Sequence, residues 1–376
     1  MKITPYKVYT PDTSLDDLKF RIKNTRWPEP SPEVGWTSGT NQKYLQELTN
    51  YWLTEFSWRK VEDRINSYPN FIADIDGFSI HFIHVKNNTK NALPLIITHG
   101  WPGSFFEMLD LIPYLTEDDE LGFDMVIPSI PGFGFSSHPT YPGCNSAKIA
   151  SLWHQLMSGL GYSHYGVQGG DVGAGIGTCL ALQYPEAVIG LHLNFIPGSY
   201  KPFLRGEDEL SGEEKSFLQT LSNWMTTEGA YSHLHGTKPQ TISFGLDDSP
   251  VGLCAWIVEK FYSWSGHDGS LDSTITKDEL LANITLYWLT KTFSSSIRLY
   301  RENRLNPTLK FREGQYVTVP VAFARFPKEL PTPPRCYVER GYNIQQWNEM
   351  LAGGHFAALE QPGLLSTDIR QFFKTV

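Results

Sequence analysis

Leu95-Ile96-Ile97 and Met125-Val126-Ile127 are unbroken apolar blocks, and each runs directly into a stretch rich in glycine and proline. Short continuous blocks of this kind suit strands covered on both faces, as in a parallel sheet. Gly166–Gln168, Val188–Leu193 and Val321–Ala324 read in the same way. Between them the spacing changes to the helical period, over residues 146–160 and again after residue 171. Strand and helix in alternation predict an α/β fold with a mostly parallel central sheet.

The flanks read differently. Phe78–Val85 alternates like a half-exposed strand after the turn signal Asp76-Gly77. Residues 1–90 as a whole have the character of an N-terminal strap laid across another domain. They show a helix capped by Ser14 with Leu15, Leu18 and Ile22 on one face, a second over 41–54, and a third from Trp58 to near Pro69. Three prolines between Thr25 and Pro32 exclude regular structure there. From 201 to 312 the strands stop, and Glu214–Met225, Pro250–Ser265 and Asp278–Asn303 read as helices. A helical insert of that kind is the pattern of a lid. It separates the first half of the core, 91–200, from the second, 313–376.

Composition narrows the function. With 376 residues, 40% apolar and 19% charged, the chain is a soluble globular protein able to bury a large core. A formal net charge of −9 without a basic stripe argues against nucleic acid and anionic membrane as partners. The four cysteines, Cys144, Cys179, Cys254 and Cys336, include no C-x-x-C pair, which argues against a disulfide framework and a zinc site. No signal-peptide segment follows Met1 and no run of 18 apolar residues occurs, so a cytoplasmic protein without a membrane span is expected. A monomer or a homodimer fits equally well.

The chemistry gathers at Gly169-Gly170-Asp171-Val172-Gly173, between a predicted strand and a small-residue helix. This is the strand–sharp turn–helix arrangement of a nucleophile elbow, with aspartate where serine is usual. A carboxylate is a poor acyl acceptor but a workable nucleophile towards a strained or activated sp³ carbon. It would leave an alkyl ester that water must open. An aspartate in a glycine-rich turn can also serve simply as a helix cap.

The rest of the chain bears on that choice. Opening the ester needs a general base, and His355 in Gly353-Gly354-His355 follows the last predicted strand, where sites form in parallel sheets. Glu329, in the turn after the preceding strand, is placed to orient its imidazole. Glu339 and Glu349 are competitors that spacing does not eliminate. The order nucleophile, acid, histidine is that of the α/β-hydrolases. Oxyanion donors in that fold are backbone N–H groups, here of Val172 and of Trp101 in His99-Gly-Trp-Pro102.

Taken together the motifs resemble the microsomal-type epoxide hydrolases of the α/β-hydrolase superfamily. Arg26-Trp27-Pro28 and the run from Trp58 through Val85 are similar to that family's N-terminal region. His99–Phe105, Pro128–Ser136, Gly169–Gly175 and Gly353–Glu360 are similar to its core motifs, and Asp248–Leu253 to its lid motif. The resemblance implies two lid tyrosines that bind and protonate the epoxide oxygen, Tyr231 (eight residues before Pro239) and Tyr300. A phenol with an ordinary pKa near 10 can donate to an alkoxide at neutral pH. The expected activity is conversion of an epoxide to a vicinal diol through an ester on Asp171, with water as co-substrate and no cofactor or metal. A membrane anchor is not carried over, because the chain opens almost at once on Tyr6-Lys-Val-Tyr9. Arg335–Asn343 matches the family poorly. Haloalkane or haloacid dehalogenation, which also uses an aspartate elbow, and a non-catalytic ligand-binding hydrolase fold are the alternatives.

Overall fold

The computed structural model of the chain describes all residues except 34, 88–91, 117–120 and 207–209. In chain order its strands are β1 (Lys2–Tyr6), β2 (Asn70–Ile75), β3 (Phe78–Val85), β4 (Leu93–Thr98), β5 (Phe123–Pro128), β6 (Tyr165–Gly169), β7 (Val188–Leu193), β8 (Val317–Arg325) and β9 (Tyr342–Glu349). They join into a single sheet in the order β1-β2-β3-β5-β4-β6-β7-β8-β9. Pairing is parallel from β5 through β9 and antiparallel among β1, β2, β3 and β5.

The apolar blocks occupy the middle of this sheet because both of its faces are covered. Ile96, Val126 and Val167 belong to one apolar cluster, with Trp153 and Leu156 of α5 (Ser146–Gly159 among the helices named below). Their neighbours Leu95, Ile97, Met125 and Ile127 belong to the other, with Leu111, Ile369 and Phe372. Successive residues of a strand point to opposite faces, so an unbroken apolar run feeds two cores at once.

The helices of the first half are α1 (Asp12–Lys23), α2 (Gln42–Thr54), α3 (Trp58–Asn66), α4 (Leu111–Thr116), α5 (Ser146–Gly159) and α6 (Asp171–Gln183). A second group runs without an intervening strand: α7 (Gly212–Thr227), α8 (Ala230–Thr237), α9 (Pro239–Leu246), α10 (Pro250–Trp264), α11 (Lys277–Thr290) and α12 (Phe293–Leu305). The last are α13 (Arg335–Glu339), α14 (Ala357–Glu360) and α15 (Pro362–Phe373). The N-terminal segment is tied to the second group across the sequence. Arg21 pairs with Asp248 at 2.8 Å, Tyr44 Oη donates to Asp272 at 2.6 Å, and Trp52 Nε1 donates to Thr285 Oγ1 at 2.9 Å.

Four expectations from sequence need correction. Ser14 lies inside α1, which starts at Asp12 after Pro11, so the acidic side chain sits in the first turn where the helix dipole favours it. Phe78–Val85 is almost wholly buried and not half-exposed, and within it His81 bonds Ser129 Oγ at 2.9 Å and Asn70 Oδ1 at 3.0 Å inside the protein. Asp278–Asn303 is two helices, broken where Lys291 takes a left-handed conformation at φ 55°. Strands β1 and β2 extend the sheet from within the expected strap; Pro5 is tolerated in β1 because that strand lies at the sheet edge. The expected division at residue 90 lies outside the described residues.

Candidate active site

Strand β6 ends at Gly169, and α6 begins two residues later at Asp171. Asp171 itself has φ +45°, a left-handed backbone for a non-glycine residue. Such a conformation costs roughly 1–3 kcal/mol and persists only where the surroundings fix it. Two glycines make the turn sterically feasible. A Cβ on Gly173 would stand 2.0 Å from Thr98 O, and one on Gly169 would stand 2.4 Å from Gly173 O. The elbow is therefore clamped between β4 and its own helix, with the carboxylate presented at the sheet's C-terminal edge.

The loop after β4 meets that carboxylate. Trp101 N–H donates to Asp171 Oδ1 at 2.7 Å. Val172 is the next residue in the first turn of α6, where backbone N–H groups have no partner within the helix. The loop is held from the helical group, since Asn283 Nδ2 donates to Pro102 O and Tyr287 Oη to Gly103 O, both at 2.7 Å.

His355 lies on the other oxygen of Asp171. Its Nε2 is 3.5 Å from Oδ2, and its Nδ1 is 2.6 Å from Glu329 Oε1. Glu329 sits in the turn after β8, and it is the carboxylate that reaches the imidazole. Glu339 and Glu349 do not: they lie at the surface, paired with Arg335 at 2.6 Å and Arg325 at 3.2 Å. The ring of His355 is held edge-on by Phe195 and Trp264, at centroid separations of 5.1 and 5.2 Å. Its backbone is pinned by Glu360, whose carboxylate accepts from Gly354 N and Phe356 N at 2.9 Å and from Gly266 N at 2.6 Å.

Tyr231 on α8 and Tyr300 on α12 also converge here. Tyr231 stacks on the Trp101 indole at 5.4 Å, Tyr300 meets the same indole edge-on at 5.9 Å, and the two phenol rings are 6.0 Å apart. The structure thus brings Asp171, His355, Glu329, Trp101, Val172, Tyr231 and Tyr300 to one place, from two halves of the sheet and two helices. Among the described residues no cluster of three or more His, Cys, Asp or Glu is set to hold a metal ion. Among them, too, no helix is long and apolar enough to cross a membrane.

Burial shapes the acidities. It opposes a charge on His355, but the Glu329 and Asp171 carboxylates outweigh it and hold the imidazolium well above the usual histidine range. Both tyrosines are pushed far above 10 by burial, reinforced by Asp171, so both are neutral donors at any physiological pH. Glu107, which the sequence reading passed over, is buried beside this site and accepts from Ser104 N at 2.7 Å. Burial pushes its carboxyl up to about 8, with Asp171 adding to the effect and the Ser104 N–H and His355 opposing it. Gln168, Asn194 and Trp264 were also missed. Ser104-x-x-Glu107 reads from sequence as a helix capping box, and it is one, so nothing in the pattern marks Glu107 for chemistry.

A strained aspartate elbow, a Glu–His pair and an oxyanion-type N–H on a sheet of this topology define the α/β-hydrolase class. Comparison with known proteins agrees and goes further. The alpha/beta hydrolase fold family matches residues 94–226, and the family described as epoxide hydrolase N terminus matches residues 3–108. Epoxide hydrolase 1 of Sus scrofa is 39% identical over 98% of this chain and 88% of its own. The solved structure of Aspergillus niger epoxide hydrolase superposes with a TM-score of 0.88 at 34% identity, covering 100% of this chain and 97% of that one. The crystal structure of juvenile hormone epoxide hydrolase from the silkworm Bombyx mori gives 0.89 at 32% identity, covering 100% and 94%. The chain belongs to the epoxide hydrolases.

Proposed function

We propose that the enzyme opens epoxides in two half-reactions centred on Asp171. The carboxylate attacks the less hindered epoxide carbon while Tyr231 and Tyr300 bind the oxygen and one of them gives it a proton. A hydroxyalkyl ester forms on Asp171. His355, oriented by Glu329, then takes a proton from water as that water adds to the ester carbon, and the Trp101 and Val172 N–H groups stabilise the oxyanion. A vicinal diol leaves. In this reading α7–α12 act as a lid carrying the tyrosines, and residues 1–90 as a strap. Cytoplasmic location is part of the proposal, supported by four free cysteines.

The observation that carries the reading is the shared position of Asp171, bonded to Trp101 N at 2.7 Å and 3.5 Å from His355 Nε2. It also supports a timing argument. In the free enzyme Asp171 and Glu329 hold His355 protonated. Esterification removes the Asp171 charge, so the imidazolium loses one of the two carboxylates that raise its pKa, and its proton passes to the tyrosinate left by ring opening, which frees it as a base. A His355→Gln variant mixed with excess epoxide should gain the mass of one epoxide, mapped to Asp171. Absence of an adduct, in a folded variant that still binds epoxide, contradicts the proposal.

One observation favours a second activity. The indole N–H groups of Trp101 and Trp264 are buried without hydrogen-bond partners, and such donors suit a halide leaving group. Chloride release from a 1-chloroalkane tests it.

A further inference from the structure

The proposed second half-reaction needs a water at the Asp171 carboxyl carbon, and the Glu329–His355 pair activates a water without enclosing one. A cavity of about 30 Å³ borders both Asp171 and His355. A water needs roughly 10–15 Å³ by this measure, together with polar partners. Its polar lining beyond those two residues is Glu107, Gln168 and Asn194, set among apolar groups such as Met108 and Leu365.

Gln168, on β6 three residues before the elbow aspartate, is 1% exposed. Its Nε2 donates to Asn194 Oδ1 at 2.9 Å, and its Oε1 is buried with no partner. Turning the amide over exchanges the two atoms and still leaves one end of it facing the cavity without that bond. A buried polar atom left unbonded costs about 1–3 kcal/mol, so it calls for a partner that the protein itself does not supply. Glu107 uses Oε1 for Ser104 N and keeps its second oxygen for another partner.

We propose that this cavity seats the hydrolytic water, and that Gln168 and Glu107 are its positioning residues. The inference rests on the aspartate-ester reading above. The water gives one proton to His355 Nε2 and hydrogen-bonds Gln168 Oε1 with the other. One lone pair forms the bond to Asp171 Cγ, and the second accepts from the protonated Glu107 carboxyl. Collapse of the tetrahedral carbon breaks the bond to the diol oxygen, which takes the proton held by His355. The remaining carboxyl proton of Asp171 passes to His355, which is again the imidazolium of the free enzyme between two carboxylates, so every group is restored.

Rapid mixing with an epoxide resolves ester formation from ester decay. In Gln168→Met and in Glu107→Met, neither of which leaves a side chain able to hold the water, ester decay should slow by roughly ten- to a hundredfold. Ester formation should stay within about twofold, so kcat falls while kcat/KM holds. A general packing defect would slow both steps or lower the folded fraction. If one variant does not fold, the other decides. Unchanged decay, or equal slowing of both steps, overturns the inference. Failure of the wild-type enzyme to form any ester would instead overturn the reading on which it rests.

Discussion

Two neighbourhoods of Asp171 are built from different materials. Around Trp101, Tyr231, Tyr300 and His235 the groups are aromatic rings in stacked and edge-on contact, every one of them neutral. Burial pushes the two phenols up and the His235 imidazole down to about 3, and the nearest charged side chain on that side is Lys260, whose Nζ lies 5.0 Å over the Tyr231 ring and is paired with Glu259. Around His355, Glu329, Glu107 and Gln168 the groups are carboxyls, an imidazolium and amides, with donors and acceptors left open. The difference matches the two tasks proposed for one carboxylate. Ring opening needs proton donors that stay neutral in a dry, apolar setting. Ester hydrolysis needs a polar place for water and a base whose charge state can change.

The comparison breaks most visibly if the aromatic side is emptied of hydroxyls. Replacing Tyr231 and Tyr300 together with Phe should slow ester formation by about 10⁴-fold, since general acid catalysis contributes roughly 10²–10⁴. The single variants should slow it less and leave the decay of whatever ester forms unchanged, as stopped-flow fluorescence would show. Slower decay would place the tyrosines in both halves of the reaction.

The polar side should respond in the opposite sense. Glu329→Gln should slow ester decay by roughly a hundredfold or more while formation is nearly unaffected, because the imidazole loses its orienting charge. Burst kinetics would then show ester accumulating. If Glu339→Gln has that effect instead, the acid has been misassigned, although the structure puts Glu339 at the surface on Arg335.

A smaller effect should appear in stability. The Glu107 carboxyl is raised to about 8 in the folded protein and has its ordinary value near 4.5 when unfolded. Its stabilising contribution is therefore complete below the unfolded value and is lost as pH rises through the folded one. The facing groups are His355 and Asp171, and Ser104 N–H holds one of its oxygens. Glu107→Gln does not titrate, so its stability relative to the wild type should improve between pH 5 and pH 9 by about a few kcal/mol at most. Urea titrations at the two pH values measure it. A constant difference would mean that Glu107 is not buried as a neutral acid.

How much of this was legible in the sequence depends on whether a residue's task leaves a local pattern. Asp171 was readable because a strained turn demands glycines around it, and Glu329 because the turn after a strand points into the site. Strands β4 to β8 were readable from their unbroken apolar blocks, whereas their order in the sheet was not. Phe78–Val85 reads as half-exposed because polar residues alternate in it, while the fold buries one of them, His81, against Ser129 and Asn70. Glu107 and Gln168 left no trace. One reads as a capping residue and the other as a strand residue, and only the fold sets them beside the same cavity. The helix break at Lys291 was equally hidden, since it depends on one left-handed residue rather than on a proline or glycine.

The central claim is that an oxygen of Asp171 becomes an oxygen of the diol. A single turnover in ¹⁸O-labelled water, with enzyme in excess over a styrene-oxide-type substrate, tests this directly. The first diol should carry only unlabelled oxygen, and the label should enter the Asp171 carboxylate. Label in that first diol would show direct attack by water and contradict the account.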